Sequence, residues 1–128
     1  MKSTFLFLGA INALLGVSMG AFGAHGLKSI LSPEMMSVYQ TGVTYQMWHA
    51  LGLVGIALLR LQHAASKLLA WAGWLMVIGI VLFSGSLYLL AMTQFLRLGM
   101  ITPFGGLSFL AAWLLLGVYS LQKPQRGH

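Results

Sequence analysis

Four histidines, one acidic residue and no cysteine are all that this 128-residue chain offers for building a reactive centre. Without Cys there is no disulfide, thiolate metal site or thiol redox chemistry. Hydrolytic triads and carboxylate pairs need acidic partners. The only acid is Glu34, in Ser32-Pro33-Glu34, where the residue types read as a helix start. Zinc requires three or four close ligands at definite spacing. His25, His49 and Glu34 are the one conceivable set, and no two histidines stand four apart. No metal, cofactor or catalytic residue is expected, and the chain is not expected to be an enzyme.

What remains is hydrogen-bonding chemistry, with imidazole able to carry a proton near neutral pH. The candidate polar cluster is His25 in GAFGAHGL, Gln46 and His49 in TGVTYQMWHALGL, and Ser84 and Tyr88 in LFSGSLYLL. Thr102, Gly105 and Gly106 in ITPFGG could offer backbone N–H groups at a helix N-terminus to an anion or a lipid headgroup. The alternative for the two glycines is close helix packing. Asn12 is a further amide that could bridge helices. The histidines have three readings: a metal site, a proton relay, or neutral side chains that hold helices together by hydrogen bonds. The residue types favour the last. His63 and His128 read as solvated.

These groups must be positioned by whatever the charges leave uninterrupted. The chain is 59% hydrophobic and only 6% charged, against about a quarter charged in soluble domains. The eight charged residues leave four uncharged stretches, Ser3–Leu27, Met35–Leu59, Leu68–Leu96 and Leu98–Gln122, each 25 to 29 residues long. A helix of about 20 apolar residues crosses a bilayer core roughly 30 Å thick. In lipid every backbone amide must be satisfied within the protein, which leaves helices or closed barrels. Runs of Leu, Ala, Gly, Val and Met without alternation select helices. Spans are expected at about 4–24, 42–61, 68–92 and 103–121. The first reads as a span rather than a cleavable signal because its apolar run reaches Ala24 and three more follow.

Ser32-Pro33-Glu34 combines a favoured N-cap, a proline at the first helical position and an acid in the first turn. The second helix should therefore start well before the membrane requires it. Ser37, Gln40 and Thr41 are polar, so residues 33–41 are expected to lie in the interface and to bend near Gly42. Thr102-Pro103 repeats the cap signature. Trp71, Trp74 and Tyr119 are placed at headgroup depth, where amphipathic rings gather. Gly9, Ala13, Gly16, Gly20 and Ala24 recur every three or four residues and so share a helix face. In lipid, small residues let helices approach closely, so this stripe should be the seat of helix packing.

Lys2, Arg60, Lys67, Lys123 and Arg126 fall on one side of such a bundle, and Lys28 and Arg97 on the other. Basic residues favour the cytoplasm, which predicts both termini inside. The +6 charge is thus spent on helix ends, and nucleic acid is not an expected partner. The bilayer is, with a second copy or another membrane protein left open.

The strings GAFGAHGL, TGVTYQ..H, LFSGSLYLL and ITPFGGLSFLAAW resemble the domain-of-unknown-function 423 family, small bacterial inner-membrane proteins of the YgdD type, similar also to transmembrane protein 256. The resemblance runs from Gly20 to Trp113. It implies a four-span membrane protein of this length, with recurring polar positions at His25, Gln46, His49, Ser84 and Pro103, and it implies no particular activity. The expectation is an all-α integral membrane protein, a four-transmembrane-helix bundle with both termini cytoplasmic, in the bacterial cytoplasmic (inner) membrane. Its expected role is that of an accessory or structural component. The alternative is a small oligomeric transporter or channel using His49 and His25 as polar or proton-titrating groups.

Overall fold

The structure is a computed structural model in which residues 3–122 are described. Four long helices form an up-down-up-down bundle: α1, Thr4–Leu27; α2, Pro33–Arg60; α3, Lys67–Thr93; and α4, Thr102–Leu121. All four are long and apolar enough to cross a membrane. Of the cations counted toward orientation, Lys2, Lys123 and Arg126 lie outside the described residues, as does His128.

Three helices start on serine caps: Ser3, Ser32 and Ser66 accept from the backbone N–H groups of Leu6, Met35 and Leu69 at 3.2, 3.1 and 3.3 Å. These bonds satisfy N–H groups that a helix N-terminus otherwise leaves open. α3 stops at Gln94, the only non-glycine residue with positive φ among the described residues, at 58°, and a 3₁₀ turn over Leu96–Met100 leads to α4. There Ile101, with helical backbone angles and no capping side chain, holds the cap position. Thr102 is already inside the helix, and its hydroxyl bonds elsewhere.

α2 and α3 form the middle of the bundle; α1 lies along α2 and α4 along α3. The core joins Phe5 of α1, Leu53 and Ile56 of α2, Leu69, Ala72, Met76 and Ile80 of α3, and Phe109 and Ala112 of α4. A smaller cluster near the opposite end joins Leu27, Tyr39 and Ala91.

Three sequence expectations change here. First, α2 is one continuous helix from Pro33 to Arg60, not a separate segment over 33–41 followed by a span. Its opening turns are held by packing: Tyr39 is 1% exposed and its hydroxyl donates to the Met19 carbonyl at 2.5 Å. Secondly, the small-residue stripe faces α2 but does not end at Ala24. Gly9 and Gly16 are buried, Ala13 and Gly20 half-buried, and Ala24 exposed. The last turn of α1, Gly23–Leu27, is a π turn, whose extra residue rotates the face that follows. Gly23 and Leu27 therefore continue the stripe, with Gly23 against the Tyr39 ring. Thirdly, α1 is closely approached along its stripe but is not the most closely approached helix: Gly9 lies against the Ala50 carbonyl of α2, while Gly105 of α4 sits tighter still on the backbone of Phe83 in α3.

A second π turn, Ile80–Ser84, interrupts α3. Near it α3 meets both α4 and α2 closely. Gly105 of α4 sits against the backbone of Phe83, Gly79 against the Phe109 ring, and Gly42 of α2 against the Tyr88 ring.

Candidate functional site

The intramembrane polar side chains separate into two groups, each inside the bundle. In the first, Gln46 of α2 is the hub and is 4% exposed. Its Nε2 donates to the Asn12 side-chain oxygen and backbone carbonyl of α1, both at 3.3 Å. Its Oε1 accepts from the Tyr88 hydroxyl of α3 at 2.5 Å. Asn12 uses its own amide nitrogen on the Leu8 carbonyl at 2.8 Å. The Tyr88 ring lies 5.3 Å from that of Tyr39, so α1, α2 and α3 are joined by polar and aromatic contacts at one level. One turn away, the fully buried Ser84 donates to the Gly42 carbonyl at 2.7 Å.

The second group centres on His49, 3% exposed. Nδ1 lies 2.6 Å from the Tyr45 carbonyl, and Nε2 lies 3.0 Å from the indole nitrogen of Trp113 on α4. A carbonyl can only accept and an indole N–H can only donate. Nδ1 therefore carries the hydrogen, Nε2 keeps its lone pair, and the imidazole is neutral with both nitrogens occupied. Its ring stacks on Phe109, with centroids 3.5 Å apart and planes at 10°.

The structure thus brings Gln46 and Tyr88 together, sets Ser84 of α3 against the Gly42 carbonyl of α2 one turn away, and gives His49 a separate partner. His25 joins neither group: it is exposed on the π turn and makes no hydrogen bond among the described residues. Its neighbours Gly23 and Leu27 take the inward face, which leaves the imidazole pointing away from the bundle. In the ITPFGG segment no side chain caps the helix start. The Thr102 hydroxyl is 2.5 Å from that of Ser86, and Gly105 is buried against Phe83, with Gly106 beside the same ring. Gly105 serves close packing, whereas a Cβ at Gly106 would meet only an ordinary contact. His63 is not merely solvated: its Nδ1 is 2.5 Å from the Tyr119 hydroxyl, which ties the α2–α3 turn to the end of α4.

Sequence reasoning missed Trp113, Phe109 and Tyr39 as partners. A signal existed for the first. Trp113 sits mid-span, whereas indoles in membrane helices favour the interface, and a mid-span indole N–H needs an acceptor inside the protein. Because His49 supplies it, His49→Phe, which keeps the stack on Phe109, is expected to cost about 1 kcal/mol through the stranded indole. His63→Phe, at the half-buried edge, should cost clearly less. Equal thermal unfolding of the two variants in detergent would mean that the His49–Trp113 bond contributes nothing.

Comparison with known proteins places this arrangement in a family. Residues 19–106 match the family described as "Protein of unknown function (DUF423)". The UPF0382 membrane protein YwdK of Bacillus subtilis is 50% identical over 118 residues, covering 92% of this chain and 96% of that protein. A UPF0382 membrane protein of Staphylococcus epidermidis is 51% identical over 118 residues, covering 92% and 95%. One from Staphylococcus aureus is 47% identical over 112 residues, covering 88% and 90%. No solved structure matches. The chain belongs to the DUF423 family of membrane proteins.

Proposed function

We propose that this DUF423 member is a non-enzymatic accessory or structural component of the bacterial cytoplasmic membrane, with both termini inside, and that its intramembrane polar groups serve to join helices. The observation that carries this reading is the mutual saturation of those groups. Gln46 uses both ends of its amide and His49 both ring nitrogens. Ser84 donates to Gly42, and Ser108 donates to the Leu75 carbonyl at 2.6 Å. Polar side chains at membrane depth are costly when unpaired. Here they are paired across helices, as adhesion requires and as a relay carrying protons would have to undo. Protonating His49 at Nε2 would break the Trp113 bond. The only acid, Glu34, is in the first turn of α2 at the bundle's end, so carriage by the transporter alternative would fall to that ring.

The orientation rests on the five-to-two division of Lys and Arg between the two sides. A C-terminal alkaline phosphatase fusion should be inactive while a fluorescent-protein fusion is bright; an active phosphatase would reverse the topology. Purified protein in liposomes should collapse an imposed pH gradient no faster than protein-free liposomes. A leak abolished by His49→Phe would replace the adhesive role with transport.

A further inference from the structure

α2 and α4 run in the same direction, and both pack against α3. Between them they leave an open groove of about 630 Å³. Trp48, Gly55 and Leu59 line one wall, and Trp113 and Leu116 the other. The lining is apolar except at one end, where Gln62 stands at the mouth. From Trp48 to Leu59 the helix rises about 16 Å, close to half of a hydrocarbon core roughly 30 Å thick. The groove therefore has the length of one leaflet, closed at mid-depth by two indoles and open at the membrane surface.

The mouth adjoins the turn that carries Arg60 and Lys67: the Arg60 guanidinium lies over the Phe5 ring and donates to the Ala64 carbonyl, Lys67 is exposed, and the only acid, Glu34, is at the far end of α2. A one-leaflet apolar slot beneath an uncompensated basic turn is complementary to one amphiphile, an anionic lipid, because basic juxtamembrane residues attract anionic headgroups. We propose that this groove holds an acyl chain of an anionic phospholipid whose headgroup rests on the Arg60–Lys67 turn. The site is defined relative to that turn and is independent of which side of the membrane the turn faces.

Gly55 supplies a clean test. A Cβ there meets nothing within 4 Å, so Gly55→Leu fills the groove without disturbing the packed faces, and leucine favours helix over glycine. Its unfolding temperature in detergent should be unchanged or higher. The full-length protein in mild detergent is mixed with phosphatidylglycerol or phosphatidylethanolamine, and bound lipid is counted by native mass spectrometry. The unmodified protein should retain phosphatidylglycerol preferentially. Gly55→Leu should lower that retention about fivefold, since the many small dispersion contacts along a chain are lost together when its slot is filled. Lys67→Gln, at an exposed position, should keep lipid bound but bring the two headgroups close to parity.

Equal phosphatidylglycerol retention by the unmodified protein and Gly55→Leu would overturn the proposal. So would an unchanged headgroup preference in Lys67→Gln. A dimer that Gly55→Leu converts to monomer would overturn it too, by assigning the face to a second copy of the chain.

Discussion

Replacing Gly105 by alanine should destabilise the bundle by about 3 kcal/mol, the upper end of what overpacking a core costs. A Cβ at this position would overlap the backbone nitrogen and Cα of Phe83. A flexible side chain could rotate away, but a main chain cannot, so α3 and α4 would have to separate along much of their shared face. Phe83 lies within the π turn Ile80–Ser84, where the bulged backbone reaches toward α4. The neighbouring glycine is the control. At Gly106 the nearest atom to a new Cβ is in the Phe83 ring at 3.9 Å, an ordinary contact, and alanine improves helix propensity. Gly106→Ala should therefore be neutral or slightly stabilising. Thermal and denaturant unfolding in the same micelle gives both numbers. If the two variants unfold within about 0.5 kcal/mol of each other, the margin of additivity expected for unremarkable sites, then α3 and α4 do not approach as described.

Gln46→Leu is expected to cost about 2 kcal/mol. The substitution roughly keeps volume but strands the Tyr88 hydroxyl and the Asn12 side-chain oxygen, two groups that face the bundle interior. A buried polar group without a partner costs about 1–3 kcal/mol. The sum is reduced in a membrane because helices that have separated also find partners, and measured interhelical bonds there average below 1 kcal/mol. The decisive comparison is a cycle with Tyr88→Phe. Alone, Tyr88→Phe should cost about 1 kcal/mol. In Gln46→Leu it should cost almost nothing, because the hydroxyl it removes has already lost its acceptor, for a coupling of about 1 kcal/mol. Strict additivity would show that the two side chains do not meet.

Much of this architecture is local, and local chemistry is legible in a sequence. Four uncharged runs of 25 to 29 residues require four spanning helices because lipid offers no partner for a backbone amide. Ser32-Pro33-Glu34 marks the start of α2 because capping involves only neighbouring atoms, and the structure places the helix start there. Helical spacing likewise puts Gly9 and Gly16 on one face, and that face packs against α2.

Tertiary structure decided which faces meet. Spacing along a helix defines a stripe, but the rotation of each helix about its axis depends on neighbours from distant parts of the chain. The Gln46–Tyr88 bond joins residues 42 apart, and the His49–Trp113 bond residues 64 apart. His25 belongs to neither, because the π turn at Gly23–Leu27 rotates it outward. The continuity of α2 through Gly42 was settled the same way. Its polar opening turns suggest an interfacial segment when read alone. Their inward face packs on Met19, Ser84 and Tyr88, contacts from α1 and α3 that spacing alone does not reveal, while Ser37, Gln40 and Thr41 stay exposed.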